Sequence, residues 1–137
     1  MTDKKIIALN REQAEWINEQ LHLFDKAHIK YALEGGVQIG IEEDGILIGG
    51  LNAYMSAFHI LYVDTVFVTE AYRRRGIGRK LMEELEQRAE KLGINMIRLD
   101  TFDWQGYEFY KHLGYEEVGH YYNDADDFHE YFFVKRI

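Results

Sequence analysis

Three observations predict a mixed α/β domain. Short β-branched runs bounded by turn residues recur along the chain, as strands do. Two longer segments carry apolar residues near a period of 3.6, as helices do. One of these, 76–92, stands between the apolar runs 63–68 and 96–100, and such a strand–helix–strand unit places its strands parallel with a right-handed crossover. The 137 residues suffice for one domain with one core, and no linker, repeat or low-complexity stretch divides them. Residues 1–137 are therefore read as a single domain.

The elements follow in order. Ile6 to Leu9 is a short first strand. Asn10 caps a helix, with Gln13 three residues on to complete a capping box. That helix runs to about Ala27 on the spacing of Trp16, Ile17, Gln20, Leu21 and Phe24. Gly35-Gly36 breaks the chain. Val37, Ile39 and Ile41 then alternate, Asp44-Gly45 is a hairpin turn, and Ile46 begins the returning strand. Ser56 to His59 connects to a third strand of this meander, Ile60 to Val68. Ile77, Leu81, Met82, Leu85, Ala89 and Leu92 mark the buried face of the next helix, which Gly93 ends as a left-handed cap. Met96 to Asp100 is a strand. Asp103 reads as the N-cap of a last helix, Trp104 to Leu113, ended by Gly114. Tyr115 to Tyr122 and Phe128 to Val134 are the closing strands, joined by the acidic loop Asn123 to Asp127.

Bulk properties exclude several classes of function. Sixteen Lys and Arg against twenty-four Asp and Glu leave a net charge of −8, whereas a general nucleic-acid binder needs a basic surface. The same charge suits solubility, or attraction of a cationic amine. No apolar run approaches the ~20 residues of a membrane span. Nothing after Lys4-Lys5 resembles the apolar core of a secretory signal. Without cysteine there is no disulfide framework, thiol nucleophile or thiolate metal site. The expectation is a cytoplasmic protein with no membrane partner and no metal. His120 and His129 flank the acidic loop, but their spacing fits no metal motif, and a solvated loop is the default reading.

The stretch Arg73-Arg74-Arg75-Gly76-Ile77-Gly78-Arg79 carries the most chemistry. It follows a strand and opens a helix. The first N–H groups of a helix have no partner within it, and the dipole adds about half a positive charge there. Glycines let a phosphate approach the backbone closely. A Walker loop is excluded, because Gly78 is followed by Arg79-Lys80 with no hydroxyl for Mg²⁺. A dinucleotide fingerprint is excluded too, because Leu81 stands where its third glycine belongs.

Arg73-x-x-Gly76-x-Gly78 resembles the acyl-CoA signature of the GCN5-related N-acetyltransferases, (Arg or Gln)-x-x-Gly-x-(Gly or Ala). Phe109-Tyr110-Lys111-His112-Leu113-Gly114-Tyr115 resembles the family's Phe-Tyr-x-x-x-Gly-(Phe or Tyr) block. The likeness is good over roughly residues 37 to 134 and loose before that. Where many relatives carry proline ahead of the phosphate turn, this chain has Glu70-Ala71. The resemblance implies a twisted mixed sheet with helices on both faces, whose fourth and fifth strands splay around the pantetheine arm. It implies acetyl-CoA as co-substrate, held by Val66, Phe67 and Val68, by Arg73, Arg74, Arg75, Gly76, Ile77, Gly78 and Arg79, and by Asp103 and Tyr110. Lys80 is a further cationic candidate. At position 103 many relatives have asparagine, and here an N-cap role is sufficient.

The implied reaction moves an acetyl group directly from the thioester to a primary amine on a small molecule, a peptide N-terminus or a lysine. No covalent intermediate is required, and holding both substrates together supplies much of the acceleration. Tyr110 matches the family's tyrosine beside the sulfur, a group that protonates or stabilises the leaving thiolate. A packed core aromatic is the plainer reading of the same residue. Asp64 is charged within an apolar strand, and strict alternation puts Tyr62 and Val66 on its face. A carboxylate there serves as a base or orients the amine, or it is simply an ion-paired or exposed position. Tyr62 and His59 lie near enough in sequence to contact the acceptor, although a structural role is the default for His59. A chain that kept the fold and lost catalysis would be an acyl-CoA sensor, which is the alternative. Homodimers are common in the family.

Overall fold

The computed structural model describes residues 3–30 and 33–137. They fall into two compact units, residues 1–30 and 31–137. The first holds α1 (Arg11–Lys26). Its start is the expected capping box. The Gln13 backbone N–H donates to Asn10 Oδ1 at 2.8 Å, and the Asn10 N–H donates to Gln13 Oε1 at 3.0 Å. Two of the helix's orphan donors are thereby satisfied. Ile6 to Leu9 forms no strand, so among the described residues the sheet has six strands rather than about seven. β-branched residues favour an extended chain, but a strand exists only where a ladder partner takes up its backbone groups.

The second unit is built on β1 (Gly36–Glu43), β2 (Ile46–Met55), β3 (Ile60–Val68), α2 (Ile77–Lys91), β4 (Met96–Phe102), α3 (Tyr107–His112), β5 (Glu116–Asn123) and β6 (Phe128–Arg136). The sheet order is β1-β2-β3-β4-β6-β5. Neighbours are antiparallel except β3 and β4, which are parallel as the crossover through α2 requires. The β1–β2 turn at Asp44-Gly45 has both residues at positive φ, 52° and 77°, as a two-residue hairpin of the primed type demands.

One face of the sheet carries the core. Leu51, Ala53, Leu61, Val63, Ile97, Leu99 and Phe133 meet Leu81, Met82, Leu85 and Ala89 of α2 and Tyr110 of α3. Their spacing on α2 is the apolar stripe read from the sequence. Lys135 ties this face together at the sheet's far side. Its Nζ donates to the Leu113 carbonyl at 2.7 Å and pairs with Glu86 of α2 at 2.6 Å.

The register between β3 and β4 leaves a gap in the sheet. Only Ile60↔Met96, Leu61↔Ile97 and Tyr62↔Arg98 pair. β3 then runs on to Val68 and β4 to Phe102 without meeting. Beyond Tyr62, β3 pairs with β2 alone, and beyond Arg98, β4 pairs with β6 alone. A wedge therefore opens between two strands, each with one edge free of ladder partners. Among the described residues, no helix is long and apolar enough to cross a membrane.

Candidate functional site

The turn from Val68 to Gly76 sits at the wide end of the wedge. After Val68 the chain makes a single 3₁₀ turn (Glu70–Tyr72), passes through Arg73 to Arg75, and enters α2 from Gly76. Arg73 is anchored: its Nε donates to the Val68 carbonyl at 2.8 Å, and its guanidinium lies 5.3 Å from the Phe67 ring centroid. The remaining guanidinium donors are left for a ligand. Arg74 adopts φ 63°, a conformation few side chains choose, and Gly76 follows at φ 78°. No side chain caps α2, and its first turn holds no acidic residue. The first internal bond runs from the Lys80 N–H to the Gly76 carbonyl, so the N–H groups of Ile77, Gly78 and Arg79 precede the helical ladder. The turn thus offers backbone donors, positive dipole and exposed Arg73, Arg74, Arg75 and Arg79 together. Among the described residues, the ion pair of Arg79 is a long contact to Glu83, 3.8 Å, and both groups are more than half exposed.

Gly78 has a second use. A Cβ there would lie 3.1 Å from Phe109 Cζ, so its absence lets α3 pack against the first turn of α2. Tyr110, next on α3, is buried against Phe109, Tyr115 and Phe133. Burial pushes its phenol up to about 12. At neutral pH it is a hydrogen-bond donor. Gly106 makes room for this ring, since a Cβ there would stand 2.9 Å from Tyr110 Cε2.

Asp64 is the extra residue of a β-bulge. Asn52 pairs with Thr65 and Ala53 with Val63, leaving Asp64 between them, exposed, with one carboxylate oxygen 3.2 Å from the Thr65 hydroxyl that donates to it. The bulge breaks the period of two. Val66 pairs with Leu51 of the core face while Tyr62 pairs with Tyr54 of the other, so the expected shared face of Tyr62, Asp64 and Val66 does not exist. Val66 and Val68 are half-buried and Phe67 exposed, all three along the free edge of β3.

Asp103 is not a helix cap. α3 starts at Tyr107 behind Gly106, with no side-chain cap. The Asp103 carboxylate instead accepts from the His129 N–H at 3.1 Å, and the Asp103 N–H donates to the His129 carbonyl at 3.1 Å. This reciprocal brace joins the end of β4 to the start of β6. A hollow of about 360 Å³ lies beside it, lined by Asp103, Gly106, Tyr107, Phe109 and Tyr131 among others. His120 and His129 are part of an aromatic ladder with Tyr131 and Tyr122.

Sequence reasoning missed one pair. The Tyr62 hydroxyl donates to both carboxylate oxygens of Asp100, at 2.9 and 3.1 Å, across the fork. The available signal was the alternation of Arg98 and Asp100 with buried Ile97, Leu99 and Thr101.

A family model described as acetyltransferase (GNAT) family matches residues 5–115. The chain belongs to this family. A crystal structure of an acetyltransferase from Bacillus cereus ATCC 14579 is 28% identical, with 98% of each chain covered and a TM-score of 0.90. An acetyltransferase of Agrobacterium fabrum is 34% identical over 77 residues, 56% of this chain and 56% of that protein. N-alpha-acetyltransferase 80 of Mus musculus is 50% identical over 66 residues, 48% of this chain and 20% of that protein. The chain thus matches only part of the length of these curated relatives. Within the GNAT family, the open wedge between β3 and β4 is the expected splay of the fourth and fifth strands, displaced by one in number because Ile6–Leu9 adds no strand.

Proposed function

We propose that this chain transfers an acetyl group from acetyl-CoA to a primary amine. The observation that carries the reading is the union of an uncapped, arginine-rich helix start with a wedge of two free strand edges leading away from it. The pyrophosphate would lie on the N–H groups of Ile77 to Arg79, with Arg73, Arg74, Arg75 and Arg79 supplying charge. The amides of pantetheine match the free edge at Val66, Phe67 and Val68, with Asp103 and Tyr110 toward its far end. Tyr110 would donate to the thiolate as it forms. With the phenol pushed up to about 12 and a thiol near ~8.5, full proton transfer is uphill, so hydrogen bonding during C–S cleavage is the stronger role. Asp64, exposed at the bulge, would add negative charge along the acceptor's approach.

The test combines binding with turnover. Acetyl-CoA should raise the melting temperature. CoA release should then appear with at least one amine in a panel of alkylamines, diamines, lysine and peptides with free N-termini. Binding without release across the panel would point to an acyl-CoA sensor; no binding would end the reading altogether.

A charge test separates phosphate binding from support of the fold. Arg79→Ala should weaken CoA by roughly 10- to 100-fold, the scale of one charge-assisted hydrogen bond. A pantetheine fragment without phosphates should lose little. Equal losses for both ligands would remove Arg79 from the phosphate site.

A further inference from the structure

This inference rests on the transferase reading above. Tyr62 and Arg98 are the last paired residues before β3 and β4 part. Just beyond them, the Tyr62 hydroxyl spans the fork to reach Asp100. The tyrosine is clamped. The Arg98 guanidinium lies 4.4 Å from its ring centroid, and the Tyr54 ring packs at 5.4 Å. Burial, then the hydrogen bond and charge of Asp100, push the Tyr62 phenol up to about 12, so it remains a neutral donor. Asp100 lies between buried Leu99 and Thr101, which places it on the face of the sheet opposite Tyr110. It is half-buried, and among the described residues it has no ion-pair partner. A carboxylate has about four lone-pair positions, and one hydroxyl leaves room for a cation.

We propose that Asp100, held by Tyr62 at the fork, receives the acceptor's ammonium and takes the proton that must leave before nitrogen can attack. The neutral nitrogen then bonds to the thioester carbonyl carbon, and the C–S bond breaks with its electron pair on sulfur. Nitrogen loses two protons in becoming an amide: one ends on the CoA sulfur, the other passes from Asp100 to solvent. The wedge separates the two groups that serve the reaction, with Tyr110, the hydrogen-bond donor to the thiolate, on the helix side and Asp100 on the opposite face. Asp64 is the weaker choice for this step, because only the adjacent Thr65 hydroxyl steadies it, whereas Asp100 is fixed from another strand. The charged and titratable groups facing Asp100 are Arg98 on its own strand, Tyr62 and Tyr54 on β3 and β2, and Tyr121 with its acceptor Glu130 on β5 and β6.

The experiment uses the full chain, acetyl-CoA, and whichever panel amine the wild type turns over. Asp100→Asn should lower kcat/KM roughly 100-fold at pH 7. That loss should shrink as pH approaches the amine's own value, ~10 for a lysine-type amine. Acetyl-CoA affinity should be unchanged. Tyr62→Phe, which keeps the carboxylate and removes its brace, should lower kcat/KM by roughly 3- to 10-fold, consistent with one lost hydrogen bond. A loss independent of pH, or kcat/KM within about twofold of wild type, overturns the assignment. So does a pH-dependent loss carried by Asp64→Asn in place of Asp100→Asn. If Asp100→Asn folds poorly, an unchanged kcat/KM in Tyr62→Phe overturns it alone. Acetyl-CoA binding with no turnover of any amine by the wild type overturns the transferase reading itself, and this inference with it.

Discussion

Tyr110→Phe is expected to lower kcat by roughly 10- to 10⁴-fold while leaving acetyl-CoA affinity nearly unchanged. The ring is packed among Phe109, Tyr115 and Phe133, and phenylalanine keeps those contacts. What it removes is a donor positioned for the leaving thiolate. An interaction made only as charge develops lowers kcat and kcat/KM together, without raising KM. The pH dependence has a definite sign. The folded value, about 12, lies above the ordinary 10, so the stability tied to the neutral hydroxyl is complete below ~10 and is lost as pH rises through about 12. Phenylalanine has no such loss, so the variant should resist alkaline unfolding better than wild type. For the same reason, Tyr110 should impose no decline in wild-type activity between pH 7 and 9. If kcat is retained on a good acceptor, with chemistry shown to limit turnover, water or another group serves the thiolate and Tyr110 is a core aromatic.

How much of this was legible in the sequence depended on how local the cause was. The Asn10–Gln13 box, the Asp44-Gly45 turn and the stripe on α2 are decided by neighbours a few residues apart, and they formed as read except at Leu92, which lies exposed past the end of the helix instead of on its buried face. The Ile6–Leu9 strand failed because strand formation depends on a partner that its own residues cannot specify. Asp103 was read as a cap on local grounds, but the turn through Gln105 and Gly106 moved the helix start to Tyr107. Its carboxylate was taken up by His129, twenty-six positions away. The bulge at Asp64 is a mismatch of two strands and has no single-strand signature. The Tyr62–Asp100 bond depends on where two parallel strands stop pairing; the alternation within β4 puts Asp100 off the core face but does not name its partner.

The second large effect is expected at Gly76, and α2 supplies its own control. Gly76 and Gly93 stand at opposite ends of this helix with nearly the same backbone, φ 78° and 80°. A Cβ at either would meet nothing within 4 Å. Valine at each therefore faces the same conformational penalty, on the order of 1–3 kcal/mol, with its Cβ in open space. Both variants should lose similar stability, read as similar falls in the melting temperature of the unliganded protein. Their responses to acetyl-CoA should differ. At Gly76 the side chain enters the space beside the N–H groups of Ile77 to Arg79, where a pyrophosphate must come within hydrogen-bond distance. Any relief of φ toward negative values also turns those donors away. Gly76→Val should abolish the acetyl-CoA-induced rise in melting temperature, while Gly93→Val should keep it in full. Matching stability with divergent binding is the outcome that assigns the pyrophosphate to this turn. If Gly76→Val still shows the wild-type shift, the helix start does not hold the cofactor's phosphates. If Gly93→Val loses the shift as well, strain in α2 rather than access to its first turn governs binding.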